Sequence, residues 1–308
     1  MQDEKKLYLI DGNAIIHRAF HALPPFKTSK GEIVNSVYGF ASILLNILNI
    51  NKPDYIAVAF DVKAKTFRHE EYKEYKATRI KAPQELYDQI PRIKELVKTF
   101  NIPIFEMAGY EADDVLGTLA KQAEKKNIMT YIVTGDLDTL QLVSDKTKVQ
   151  TLVSRFSEPV IYDVQKVLSR YGLKPCQVPD MKGLQGDNSD NIKGVRGIGP
   201  KTAKILLQKY GTIENIYNHL DVIHGSTGEK LKNNKENAFL SKRLATIITN
   251  LPITLDEEKC KTHEYNELEV EKFFQELEFK SLLNRLNVFH RISSGKKAEE
   301  NNLQASLF

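Results

Sequence analysis

The chain has 308 residues, enough for one large domain or two ordinary ones, and its 41% hydrophobic content and mean hydropathy of −0.38 fit a soluble globular fold. No apolar run reaches the length needed to cross a bilayer, MQDEKKLYLIDG passes from charge into a strand without a signal-peptide profile, and Cys176 and Cys260, the only cysteines, lack metal-site spacing and the density of a disulfide framework. The composition weighs against a helical membrane protein and a disulfide scaffold, and the expectation is a cytoplasmic monomer.

In chain order, KLYLID (6–11) reads as a strand ending in Asp11 and AIIHRAFHAL (14–23) as a helix. VYGFASILLNILNI (37–50) has helical periodicity and precedes the strand DYIAVAFD (54–61), which ends in Asp61. After a basic stretch, PQELYDQIPRIKELVKTF (83–100) reads as helix, IPIFEM (102–107) as strand, EADDVLGTLAKQAEKK (111–126) as helix and IMTYIVTGD (128–136) as strand. Strands interleaved with helices predict an α/β fold, a parallel-rich central sheet with helices on both faces. From about residue 163, β-branched runs give way to short helical segments punctuated by Gly, Asn and Pro, and a helical region is expected to about 290. ISSGKKAEENNLQASLF (292–308) has the composition of a disordered tail until its last residues.

In a parallel sheet the C-terminal ends of the strands share one edge, and the crevice there is where such folds bind ligands. Asp11, Asp61 and Asp136 each close a strand, Asp138 lies two residues on, and Glu111, Asp113 and Asp114 open the helix after IPIFEM. Acids in a first turn gain about 0.3–1 kcal/mol each from the helix dipole, so GYEADDVLGTLA alone would mark only a helix start. With acids from several strands arriving at the same edge, repulsion of about 4 kcal/mol per close pair at an effective dielectric near 20 demands protons or cations. An oxygen-rich set without histidine suits hard divalent ions, Mg²⁺ in particular, and not zinc. The formal charge is +4; setting aside these seven acids together with Asp187 and Asp190 leaves 44 bases against 31 acids, a +13 surface suited to a polyanion.

Asp187 and Asp190 stand in LQGDNSDNIKGVRGIGPKTAKILLQKYG (184–211), where a helix, a Gly-Ile-Gly turn and a second helix follow one another. Gly197 and Gly199 let the backbone approach a ligand closely, and amides at the next helix start can receive a phosphate oxygen. Lys201, Thr202 and Lys204 add donors, as in a helix-hairpin-helix that grips DNA backbone. VKAKTFRHEEYKEYKATRIKAP (62–83) mixes Lys63, Lys65, Arg68, Lys73, Lys76, Arg79 and Lys81 with Phe67, Tyr72 and Tyr75, the pattern of a single-strand channel in which charge tracks phosphates and rings stack on bases. Lys76 and Arg79, three apart, would share a helix face toward the acids.

These motifs together resemble the bacterial 5′-nuclease family, the flap endonuclease and 5′ to 3′ exonuclease known as the N-terminal domain of DNA polymerase I. The likeness spans about residues 7–288 and rests on DGNAIIHRAFHAL, FDVKAKTFRHE, YKATR, GYEADDVLGTLA, TGDLDTLQL, GDNSDNIKGVRGIGPKTA and LEFKSLLNRL. It implies a PIN-like fold with a metal-dependent nuclease domain over 1–175, a helical arch over about 63–90 and a helix-hairpin-helix domain over 176–290. It further implies metal ligands at Asp11, Asp61, Glu111, Asp113, Asp114, Asp136, Asp138, Asp187 and Asp190, holding two or more Mg²⁺ ions with Mn²⁺ as substitute. Arg18, Lys76 and Arg79 would contact phosphate, Tyr75 would lie near the scissile nucleotide, and Arg68 and Lys73 would join the DNA path. The implied substrate is DNA with a 5′ flap, nick or free 5′ end, RNA primers included. His17 stands where relatives often carry Tyr, which leaves the stacking role at that position open.

Two other readings compete. GDLDTL resembles the DxDxT motif of haloacid-dehalogenase-type phosphatases, but that motif should end its domain's first strand directly, and here Thr134 and Gly135 intervene. A protein that only binds junction DNA would be expected to have lost acidic ligands, and all nine are present. Finally, QASLF (304–308) resembles the peptide by which bacterial replication proteins dock on the sliding clamp, with Gln304 at the rim of the clamp pocket and Leu307 and Phe308 inside it.

Overall fold

The computed structural model describes residues 4–151, 159–263 and 265–293. Leu7 through Ile10 are buried without a break in β1 (Lys6–Asp11). Successive strand side chains face opposite ways, so an unbroken buried run requires cover on both faces. β2 (Tyr55–Ala59) is equally buried, β3 (Ile104–Phe105) is short, and β4 (Met129–Thr134), β5 (Thr147–Thr151) and β6 (Val160–Tyr162) complete a six-stranded sheet of order β3-β2-β1-β4-β5-β6. β1 pairs parallel with β4 and β4 with β5, while β6 runs antiparallel to β5. β5 carries no clear sequence signal, because Thr147, Gln150 and Thr151 are buried polar residues that mask the apolar pattern.

Packing divides the described chain into two compact units that interleave along the sequence. One takes in Met1–Asn13, Ala59–Lys81 and Phe105–Asp256, the other Ala14–Val58, Ala82–Ile104 and residues from Glu257 on. In the second unit, Arg92 bonds both Glu32 and Glu276, so C-terminal helices join N-terminal ones. Gln89, rather than a serine or aspartate, caps the helix Asn35–Asn46: its Oε1 accepts the Ser36 amide at 2.8 Å.

In the first unit the helix Ala112–Lys125 buries Val115, Leu116, Leu119 and Ala123 and packs against β1 and β4. The short helices Val178–Gln185, Pro200–Tyr210, Ile213–Asn218, Gly225–Asn233 and Lys235–Ala245 enclose their own apolar cluster, including Leu184, Ile198, Leu207, Ile216 and Leu231. Residues 63–90, expected as a helical arch, contain only the short helices Phe67–Glu71 and Gln84–Tyr87 with turns at 73–78 between them. Lys76 adopts φ 55°, a left-handed conformation that stops helix propagation, and Pro83 disfavours helix in the residue before it.

The loop 186–194 delivers Asp187 and Asp190, closed by Asp187 and Ile192, whose amides donate to each other's carbonyls. It depends on Gly186 (φ 78°) and Gly194 (φ 63°), and a Cβ on Gly194 would lie 2.2 Å from the Gly186 nitrogen. Gly194→Ala is expected to destabilise the chain by about 2–4 kcal/mol, combining left-handed strain and overpacking; thermal unfolding checks this, and an unchanged melting temperature would contradict it.

Candidate active site of clustered carboxylates

Each element end hands one or more acids to the same crevice. Asp11 ends β1 and is 5% exposed; its Oδ2 accepts from the Thr134 hydroxyl at 2.7 Å, and Thr134 Oγ1 in turn accepts the Asp136 amide at 3.0 Å. Thr134, noted in the sequence only for its place before Gly135, therefore links the acids of two neighbouring strands. Asp136 caps the 3-10 turn Leu137–Leu142, with its Oδ1 accepting the Asp138 amide at 2.8 Å. Asp61 lies two residues beyond β2, and its Oδ1 accepts the Ala112 amide at 2.8 Å. Glu111 is the N-cap of Ala112–Lys125 and forms a reciprocal capping box with Asp114.

The acids feel one another. Burial, then the charges of Asp11 and Asp136, push the Asp113 carboxyl well above its ordinary range. Asp61 is open to solvent on one side, yet the surrounding protein raises it, with Glu111 adding to the effect against the Ala112 amide and nearby cations. Burial and Asp136 raise Asp138 to about 7 despite the opposing Lys182. Asp187 goes the other way: burial would raise it, but Lys182 and the Ser189 hydroxyl and amide outweigh that.

Three cations answer this charge. Lys76 Nζ donates to Glu111 Oε1 at 2.6 Å, Arg79 Nη2 pairs with Asp190 Oδ1, and Lys182 Nζ bonds both Asp138 and Asp187. Burial alone would lower the Lys76 and Lys182 ammonium groups, but the facing carboxylates prevail and raise both. No role was expected for Lys182; its signal is a lysine amid Val178, Pro179, Met181 and Leu184, five residues before Asp187. Lys76 and Arg79 reach the acids as expected, but from turns rather than from one helix face. Among the described residues, no three carboxylate, imidazole or thiol groups already stand in the geometry of a metal cage.

Several expected roles change. Tyr75 is 3% exposed, with its hydroxyl 3.1 Å from Glu111 Oε2 and 3.0 Å from Asp190 Oδ2, so it braces two acids and offers no ring to a nucleotide. Arg68 is 2% exposed and its guanidinium is committed to Asp114, which removes it from the DNA path. Asp114, expected as a metal ligand, is wholly buried in that ion pair. Lys73 is exposed. Arg18 belongs to the second compact unit, on the helix Gly12–Ala22, where burial lowers its pKa. At the hairpin, Gly197 has φ 83°, Gly199 caps Pro200–Tyr210, Lys201 is exposed, Thr202 half-buried, and Lys204 lies along Gly172. Lys230 also reaches the hairpin, donating to the Gly197 carbonyl at 3.2 Å. Gln304, Leu307 and Phe308 lie outside the described residues.

A raised Asp138 means that between pH 3.8 and about 7 the folded chain keeps a proton that the unfolded chain has released. Its contribution to stability therefore falls as pH rises through that window. Asp138→Asn, measured in chelator, is expected to raise the melting temperature at pH 8 by about 1–2 °C, the shift for roughly 1 kcal/mol in a chain of this size, and to leave it unchanged at pH 4. No gain at pH 8 would refute the raised Asp138 carboxyl.

Residues 6–172 match the family model described as 5′-3′ exonuclease, N-terminal resolvase-like domain, and residues 173–268 the model described as 5′-3′ exonuclease, C-terminal SAM fold. The chain is 46% identical over 285 residues to DNA polymerase I of Caldicellulosiruptor bescii, covering 92% of this chain but 34% of that protein. It thus spans about a third of the length of the polymerases it matches. The 5′-3′ exonuclease of Aquifex aeolicus is 39% identical over 290 residues, covering 94% of this chain and 98% of that one. The bacteriophage T5 flap endonuclease, solved as a pseudo-enzyme-product complex with DNA and metal ions, shares the fold at a TM-score of 0.67 and 19% identity, covering 92% of this chain and 99% of that one. Both halves of the family's description fall on consecutive stretches of this sequence, a likeness no haloacid-dehalogenase-type reading accounts for, and the chain belongs to the 5′-3′ exonuclease family.

Proposed function

We propose that this chain is a divalent-metal-dependent nuclease that hydrolyses phosphodiesters in DNA carrying a 5′ flap, nick or free 5′ end, RNA primers included, acting 5′ to 3′ as exonuclease and flap endonuclease. The observation that carries this reading is the convergence of Asp11, Asp61, Glu111, Asp113, Asp136, Asp138, Asp187 and Asp190, where burial and then the charge of neighbouring acids raise Asp113 and Asp138. Such a donor set, all oxygen and short of compensating charge, fits hard divalent cations, Mg²⁺ first and Mn²⁺ as a substitute, and those eight residues would hold them. Bound there, such ions would lower the pKa of a coordinated water and draw charge from the phosphoryl oxygens.

The protein's own groups do the rest. Thr134 fixes the Asp11 carboxylate, and Tyr75 fixes Glu111 and Asp190. Lys76 and Arg79 sit beside those acids; Arg79 is half exposed, and both present positive charge to a phosphate entering the crevice. Gly197, Gly199 and the first amides of Pro200–Tyr210, with Lys201, Thr202, Lys204 and Lys230, offer donors to duplex backbone, a contact blind to sequence. On the family likeness we also propose a phosphate contact for Arg18 and, separately, for the exposed Lys73. We read the chain as acting as a monomer. Among the described residues no helix is long and apolar enough to cross a membrane. We also propose that Gln304, Leu307 and Phe308 dock on a sliding clamp, supported by two large apolar residues at the end of a polar tail.

With Mg²⁺, the purified protein should release short 5′ fragments from a flapped duplex, and Asp136→Asn should cut this by at least about 100-fold, the loss of a few kcal/mol of transition-state stabilisation. Undiminished cleavage by Asp136→Asn would overturn the site. Deleting residues 304–308 should abolish co-elution with the clamp and leave cleavage of clamp-free substrate unchanged; persistent co-elution would remove the tail proposal.

A further inference from the structure

Asp113 and Asp114 are consecutive on the helix Ala112–Lys125, and side chains of consecutive helical residues point about 100° apart. Asp113 meets the repulsion of Asp11 and Asp136, whereas Asp114 turns to a different set of neighbours. Asp114 Oδ2 accepts from Arg68 Nη1 at 2.7 Å and from the Glu111 amide at 3.1 Å, and Oδ1 accepts from Arg68 Nη2 at 2.8 Å and from the Ile248 amide at 2.8 Å. A carboxylate has about four acceptor directions, and all four are taken at a residue with no exposure. Arg68 is equally committed. Its Nε donates to the Leu244 carbonyl at 2.8 Å, Nη2 also donates to the Thr246 carbonyl at 3.0 Å, and Nη1 also lies 3.4 Å from Glu111 Oε2. The five N–H groups of a guanidinium thus have a facing acceptor each.

We propose that Asp114 is not a metal ligand, and that Arg68 and Asp114 form a positioning pair that sets Glu111 and ties residues 244–248 to the carboxylate crevice. Glu111 is held twice by the pair, through its backbone amide on Asp114 and its carboxylate beside Arg68. Residues 244–248 continue from the helix Lys235–Ala245, which packs along Val178–Gln185, the helix carrying Lys182. The catalytic part of this inference rests on the nuclease reading; the metal-binding part does not.

The test compares wild type, Arg68→Lys, Asp114→Asn and the double variant by Mn²⁺ titration, melting temperature, and kcat at saturating Mg²⁺. Lysine keeps the charge of Arg68 but cannot make the paired contacts. A positioning pair predicts that each single variant loses about tenfold in Mn²⁺ affinity or kcat, the usual cost of removing a partner of a metal ligand. The double variant should lose no more than either single one, since the two act as a unit. If Asp114 ligates metal, only Asp114→Asn weakens Mn²⁺ binding and Arg68→Lys behaves as wild type, which overturns the proposal. A lowered melting temperature with unchanged Mn²⁺ affinity and kcat reduces the pair to a structural prop and overturns it equally. Should Asp114→Asn fail to fold, Arg68→Lys decides by the same criterion. A wild-type protein that cleaves nothing defeats the nuclease reading, while Mn²⁺ affinity still judges the pair.

Discussion

The crevice is governed by like charge at close quarters. Eight carboxylates arrive from five chain segments, and two charges about 4 Å apart repel by roughly 4 kcal/mol even at an effective dielectric near 20. Burial first, and that repulsion after it, raise the carboxyls of Asp61, Asp113 and Asp138. Lys76 and Arg79, from one loop, and Lys182, from the helix Val178–Gln185, offset part of it. A fold that only needed stability would replace such a cluster with apolar residues; its presence is the physical argument for a site that takes cations and a polyanion.

Holding the acids together falls to groups that are themselves uncharged or fully paired. Thr134 ties the end of β1 to the end of β4, Tyr75 spans Glu111 and Asp190, and the Gly186–Gly194 loop presents Asp187 beside Lys182. The buried Arg68–Asp114 pair belongs to the same layer. Breaking such a pair by removing one partner costs about 3–5 kcal/mol because a bare charge stays buried, so these positions transmit disturbance to the acids rather than absorbing it.

Much of this was legible beforehand, for a definite reason. Apolar runs that end in aspartate, as at Asp11, Asp61 and Asp136, report both a buried strand and its functional end, since parallel strands share one edge. The Gly-Ile-Gly turn before Pro200 marked a helix start reliably, because glycine and proline act on the backbone locally. Less legible were β5, whose buried threonines and glutamine hide its face, and residues 63–90, where the family resemblance implied a helical arch. Lys76 in a left-handed conformation shows that tertiary contacts, here its amide donating to the Asp190 carbonyl and its ammonium to Glu111, overrode local helix preference.

The sequence by itself determined the α/β class, the family and the acids that gather at the strand ends, because periodicity, turn residues and strand-terminal charges are local properties of the chain. Only the tertiary structure decided which charge each acid meets. Asp113 and Asp114 are indistinguishable as letters, yet one faces other carboxylates and the other a guanidinium brought from residue 68 and the amide of Ile248. Partners that far apart in the chain meet only on folding, and the electrostatic role of a side chain is set by what it meets.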